Sequence, residues 1–154
     1  MLDDIIKEKE KKLKLIREEG IDPYPARVKR TSTALSAVND FAKILKSKKK
    51  IYLTGRIMGL RDQGNLIFAD LADESGKIQC IFKKDILNDY LLLKKTVDIG
   101  DFLEVGGLVF LTKKGEKSLE VREARIIAKS MLPLPSEWYG VKDIETRLRK
   151  RYLD

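Results

Sequence analysis

Phe68, Gln79 and Arg61 have side chains suited to recognising a planar, polar ligand. A phenyl ring offers a face for a nucleobase, and such stacking contributes about 1–3 kcal/mol per base. The Gln79 amide can donate to and accept from a base edge, and the Arg61 guanidinium can stack or reach a phosphate. Groups that perform catalysis are scarce by comparison. The 154 residues include no histidine, which removes the usual general base near neutral pH, the commonest metal ligand and every Ser-His or Cys-His pairing. A single cysteine, Cys80, excludes an internal disulfide, a CxxC redox pair and a thiolate zinc site. Carboxylates approach one another in sequence only in turns and on helix surfaces. The run from Gly55 to Gly59 lacks the spacing of a phosphate-binding loop or a dinucleotide fingerprint. No catalytic residue, metal site or cofactor site is expected in this chain.

For Phe68 and Gln79 to act together they must project from one face of paired strands. Residues Leu66–Ala72 and 77–82 flank Asp73-Glu74-Ser75-Gly76, which has the composition of a four-residue hairpin loop. Pairing Ala72 with Lys77 places Ile67, Ala69, Leu71, Ile78, Cys80 and Phe82 on one face, the expected core. The opposite face collects Leu66, Phe68, Asp70, Lys77, Gln79 and Ile81, a mixed and exposed surface. Cys80 is then a small buried hydrophobe, not a nucleophile. A strand alternating from Ile51 precedes this hairpin, with a turn predicted over 61–65. A helix is predicted over 83–97, followed by strands over Phe102–Leu111 and 118–127, with a turn at Lys113-Lys114-Gly115-Glu116 between them. Three strands, a helix and two more strands, with glycines inside the strands, predict a mainly β fold with flanking helices. Its centre is a five-stranded OB-fold barrel with a helix between strands three and four.

The positive charge is concentrated beside that barrel. The formal net charge is +8, and residues 27–50 carry eight basic side chains against Asp40 alone. Arg27, Lys29, Arg30, Lys46, Lys48, Lys49 and Lys50 are therefore the candidate phosphate-contacting residues. Leu2, Ile5, Ile6, Leu13 and Ile16 recur at helical spacing and predict an amphipathic helix ending at Gly20, its stripe packed on a neighbour. A second helix, capped by Thr31, Ser32 or Thr33, is predicted to bury Leu35, Val38, Ala42 and Leu45. No apolar run reaches the roughly 20 residues of a bilayer span, and the first residues are too charged for a signal peptide. A cytoplasmic protein without a membrane partner is expected. Leu132-Pro133-Leu134-Pro135-Ser136 reads as an extended linker and 141–154 as a charged helical segment that leads into something longer. The division is an N-terminal helical, basic extension (1–50), the barrel (51–130), and a linker with the start of a further domain (131–154).

Several landmarks together resemble the N-terminal region of class II lysyl-tRNA synthetases. They are Gly20-Ile21-Asp22-Pro23-Tyr24-Pro25 with Arg27, Thr54-Gly55-Arg56-Ile57-Met58, the DESGKIQ run from Asp73 to Gln79, and Asp98-Ile99-Gly100-Asp101. Leu132-Pro133-Leu134-Pro135 with Trp138-Tyr139-Gly140, and the closing ETRLRKRYLD from Glu145 to Asp154, complete the set. The resemblance implies an OB-fold that recognises the lysine anticodon, UUU. It assigns the middle uridine to Arg61, Phe68 and Gln79 and an outer uridine to Glu116, although Lys117 stands where an apolar residue is expected. It places ATP, magnesium and lysine sites, and the principal homodimer interface, in a catalytic domain beyond this sequence. The implied partner of this chain is the anticodon stem-loop of tRNA(Lys), and no aminoacylation by the chain itself is implied. Aspartyl and asparaginyl synthetases share the barrel and a central anticodon U. A general single-stranded nucleic-acid-binding OB protein and an assembly module are the other readings.

Overall fold

A computed structural model describes residues 1–134, 144–149 and 151. Strands β1 (Ile51–Asp62), β2 (Leu66–Ala72), β3 (Lys77–Lys83), β4 (Phe102–Leu111) and β5 (Lys117–Ala128) close into a barrel in the order β1-β2-β3-β5-β4. All neighbouring pairs are antiparallel except β3 and β5, which run parallel. Alternation explains the interior: Leu53, Ile57, Leu71, Cys80, Leu103, Val105, Leu119 and Val121 are each at most 1% exposed. Burying each large aliphatic side chain contributes about 1.5–3 kcal/mol. The β2–β3 register is Ala72 to Lys77 through Leu66 to Lys83, as the hairpin spacing predicts.

Helix α4 (Tyr90–Thr96) lies between β3 and β4. It is shorter than the predicted 83–97, because Ile86 and Leu87 N–H groups turn back to the Lys83 carbonyl and Asp89 takes the position before the first helical turn. Tyr90 is buried, and its hydroxyl donates to the Gly64 carbonyl at 2.7 Å, so α4 holds the β1–β2 turn. That turn begins after Asp62, since Arg61 and Asp62 continue β1 in register with Phe68 and Ile67.

The N-terminal helix α1 (Leu2–Glu18) packs on α4 and ends with Gly20 at φ +74°, a conformation that glycine adopts freely. Its predicted stripe is only partly used: Ile16 is buried, while Leu2 and Ile5 remain 50% and 40% exposed. Polar contacts hold its middle. Lys9, itself buried, donates to the Ser130 carbonyl, and Lys12 pairs with Asp98. Behind them the fully enclosed Lys129 ammonium donates to the Thr96 carbonyl and to the carboxylates of Asp98 and Asp101, at 2.6–2.8 Å. Burial pushes the Asp98 carboxyl up, but hydrogen bonds from Lys12 and Lys129 outweigh it and hold the group below the usual aspartate range.

The predicted second helix is two helices, α2 (Ala34–Asn39) and α3 (Phe41–Ser47), broken at Asp40. Thr33 and Ser36 form a capping box at the start of α2. Its first N–H groups are also held by the β2–β3 loop: Ala34 N donates to Asp73 Oδ2 and Leu35 N to Ser75 Oγ. Ala34, Ala37 and Phe41 are buried and the predicted Val38 packs against the core, whereas the other predicted contacts Leu35 and Leu45 are 47% and 39% exposed and Ala42 faces solvent. Helix α5 (Ile144–Arg149) is a short segment; Pro135, Ser136 and half of the predicted 141–154 helix lie outside the described residues.

Candidate nucleic-acid interface

Two rungs of side chains cross the outer wall of the barrel. In one, Arg61, Phe68, Ile81 and Glu120 stand opposite one another on β1, β2, β3 and β5. In the other, Gly59, Asp70, Gln79 and Ser118 do the same. Directly paired residues share a face, so the rungs are parallel rows of one surface. The Arg61 guanidinium lies 5.6 Å from the centre of the Phe68 ring, within cation–π range. Phe68 is half-buried.

Beside these rungs the β4–β5 loop rises and encloses a cleft of about 310 Å³. Arg61, Phe68, Gln79 and Glu116 all line it, so the four residues singled out in sequence meet at one place. Gln63 of the β1–β2 turn and Thr112, Lys113 and Lys114 of the β4–β5 loop complete the lining. These were not singled out: the Lys-Lys pair was legible as a turn, but its position over β3 follows only from the closed barrel. Gly115, at φ +81°, and the Thr112–Glu116 hydrogen bonds set that loop's shape. The cleft offers an aromatic face, two amides, a guanidinium, a hydroxyl, two ammonium groups and one carboxylate.

Gln79 differs from the sequence expectation. Strand parity puts it on an exposed face together with Ile81, yet they are 6% and 4% exposed. The hairpin seen alone has an open edge at β3, whereas in the barrel β5 covers that edge by parallel pairing from Gln79–Ser118 to Phe82–Val121. Ser118 Oγ, fully enclosed, donates to Gln79 Oε1 at 3.0 Å. Lys117 also finds an explanation. Its ammonium donates to the Val38 carbonyl and lies 5.6 Å from the Phe41 ring, fastening α2 and α3 beside the loop that carries Glu116.

The basic segment divides into engaged and solvent-facing groups. Lys50 pairs with Glu123, which raises the Lys50 pKa and lowers that of Glu123. Arg30 pairs with Glu74 at 3.6 Å, and the Lys29 ammonium sits 4.0 Å from the Tyr52 ring centre. The Arg27 carbonyl accepts from Arg125, fixing the extended chain against β5. Lys46, Lys48 and Lys49, at the end of α3, are exposed. Lys48 is in the left-handed region at φ 51°, where the helix stops.

Cys80 is fully enclosed, and burial pushes its thiol up to about 12, so at neutral pH it is a protonated core side chain. Among the described residues, no helix is long and apolar enough to cross a membrane.

A closed five-stranded barrel with a helix after its third strand and a polar, aromatic cleft on its wall defines a nucleic-acid-binding OB-fold. Residues 51–127 match the tRNA anti-codon family, described as an OB-fold nucleic acid binding domain, and the chain belongs to that family. Along nearly its whole length it is also similar to lysine–tRNA ligases. It is 45% identical over 145 residues to the enzyme of Syntrophomonas wolfei, covering 93% of this chain and 29% of the relative. It is 40% identical over 152 residues to that of Dehalococcoides mccartyi, covering 96% and 30%. For Carboxydothermus hydrogenoformans the identity is 39% over 154 residues, covering 99% and 31%. The chain therefore spans about three-tenths of the length of these curated relatives.

Proposed function

We propose that the chain is the anticodon-binding module of a lysine–tRNA ligase and that its cleft receives the uridines of a UUU anticodon. The convergence of Arg61, Phe68, Gln79 and Glu116 on one cleft carries this reading. Phe68 stacks on the middle uridine, Arg61 backs the ring and reaches the base or its phosphate, and Gln79 bonds the base edge. Glu116, on the loop across the cleft, contacts an outer uridine. Lys46, Lys48, Lys49, Lys113 and Lys114 supply attraction for the RNA backbone, which positions the loop without reading its sequence. Lysine activation, with ATP and magnesium, belongs to the part of the relatives that this chain does not span. Homodimerisation belongs there too, and the full-length protein works in the cytoplasm.

The test is a binding comparison at fixed salt between stem-loops carrying UUU and CCC anticodons. The chain should prefer UUU, and Phe68→Ala should weaken UUU binding by about 1–3 kcal/mol while the fold is retained. Equal affinity of the folded variant would remove Phe68 from the site. Equal binding of both loops by the unmodified chain would instead favour a general single-strand binder.

A further inference from the structure

We propose that Ser118 is a positioning residue that fixes the hydrogen-bond polarity of Gln79, so that this wall of the cleft presents an N–H donor and selects a base edge bearing a carbonyl oxygen. The inference rests on the reading of the cleft as a base-binding site. Parallel pairing of β3 with β5 sets Ser118 directly beside Gln79. Both are enclosed, Ser118 fully and Gln79 to 6% exposure, so neither side chain can readily trade its partner for bulk water. Ser118 Oγ lies 3.0 Å from Gln79 Oε1 and 3.4 Å from the Glu116 carbonyl oxygen. A hydroxyl has one proton to donate, and the closer oxygen receives it.

The consequence follows from the inventory of an amide. With Oε1 committed to Ser118, the group that Gln79 has left for the cleft is Nε2, which carries two N–H donors and no acceptor. Uracil presents carbonyl oxygens on both sides of its ring N–H. Cytosine carries an amino group where uracil carries O4. Where the fixed donor faces the 4-position of the ring, uracil O4 completes a hydrogen bond, whereas the cytosine amino group leaves two donors facing one another, both unpaired. A site that leaves buried polar groups unpaired rejects the analogue more strongly than an apolar pocket does. Ser118 touches no base itself. It acts by holding Gln79 in the amide orientation that favours uracil over cytosine at the 4-position.

The experiment measures affinity for stem-loops that differ only at the central base, UUU against UCU, and for single and double variants. The unmodified chain should prefer UUU, and Ser118→Ala should shrink the preference by about three- to tenfold without altering the salt dependence. In a Gln79→Ala background, Ser118→Ala should shrink it no further. Ser118→Thr, which keeps the hydroxyl, should retain the preference that the near-isosteric Ser118→Val loses. An unchanged preference in Ser118→Ala, or an equal loss when Gln79 is absent, overturns the proposal. Should these variants fail to fold, the Gln79 side-chain amide resonance of the unmodified chain decides. It should move on adding the UUU loop and much less on adding UCU; equal movement overturns the proposal. A chain that binds through Phe68 but does not separate UUU from UCU overturns this inference alone. A folded Phe68→Ala variant that binds normally overturns the cleft reading beneath it.

Discussion

Arg61 is where charge and shape can be separated. Its guanidinium covers the Phe68 ring at 5.6 Å and also borders the cleft, so it can contribute as a flat donor array or merely as a cation. Arg61→Lys preserves the charge and removes the plane. The expected outcome is a loss of about 0.5–1.5 kcal/mol in UUU stem-loop binding with an unchanged salt slope, read by fluorescence anisotropy at several ionic strengths. That Phe68 and Gln79 share a face is legible from strand parity, because opposed residues in an antiparallel hairpin project to the same side, whereas Arg61 joins them only because β1 continues past the predicted turn to pair with β2. The environment of Gln79 was not legible. Its enclosure depends on Ser118, 39 residues along the chain, and no local periodicity reports a parallel partner at that separation.

At the scale of elements, the cleft depends on how closely β4 and β5 approach. Gly107 sits at a break in their register, and a Cβ built there would lie 2.0 Å from the Glu120 carbonyl oxygen. The backbone of the neighbouring strand occupies the space, so no side-chain rearrangement can relieve the clash. Gly107→Ala should destabilise the chain by about 1–3 kcal/mol in urea unfolding, and the folded remainder should bind RNA less tightly because the β4–β5 loop is displaced. The succession of strands along the chain and the core face of the hairpin could be read from alternation and turn residues. The helices could not be read so well: of the predicted side of α2 and α3 only Val38 packs against the core, and Ala34, Ala37 and Phe41 are buried instead, where Asp73 and Ser75 hold the first N–H groups of α2. A hydrogen-bonded anchor worth about 1 kcal/mol per bond outweighs the small difference between two weakly apolar faces.

For the whole molecule, the net charge of +8 is a statement about affinity, and its distribution is a statement about which residues supply it. Of the basic segment, Lys50 and Arg30 are paired to glutamates, while Lys46, Lys48 and Lys49 face solvent. Changing those three together to alanine should weaken UUU and CCC stem-loops alike and flatten the plot of log affinity against log salt by about 2 units. Each phosphate contact contributes roughly 0.7–0.9 to that slope. A loss confined to UUU would contradict the separation of backbone attraction from base reading. The sequence by itself determined the five strands and the helix among them, the core face of the β2–β3 hairpin, the absence of histidine chemistry and the three side chains that the proposed function assigns to recognition, because alternation and residue type are local properties. Tertiary structure decided which lysines stay free, that Lys113 and Lys114 overhang the cleft, and that Gln79 is held from behind by Ser118. Those outcomes require a parallel strand pair and a docked helix, contacts between distant segments whose geometry exists only once the barrel has closed.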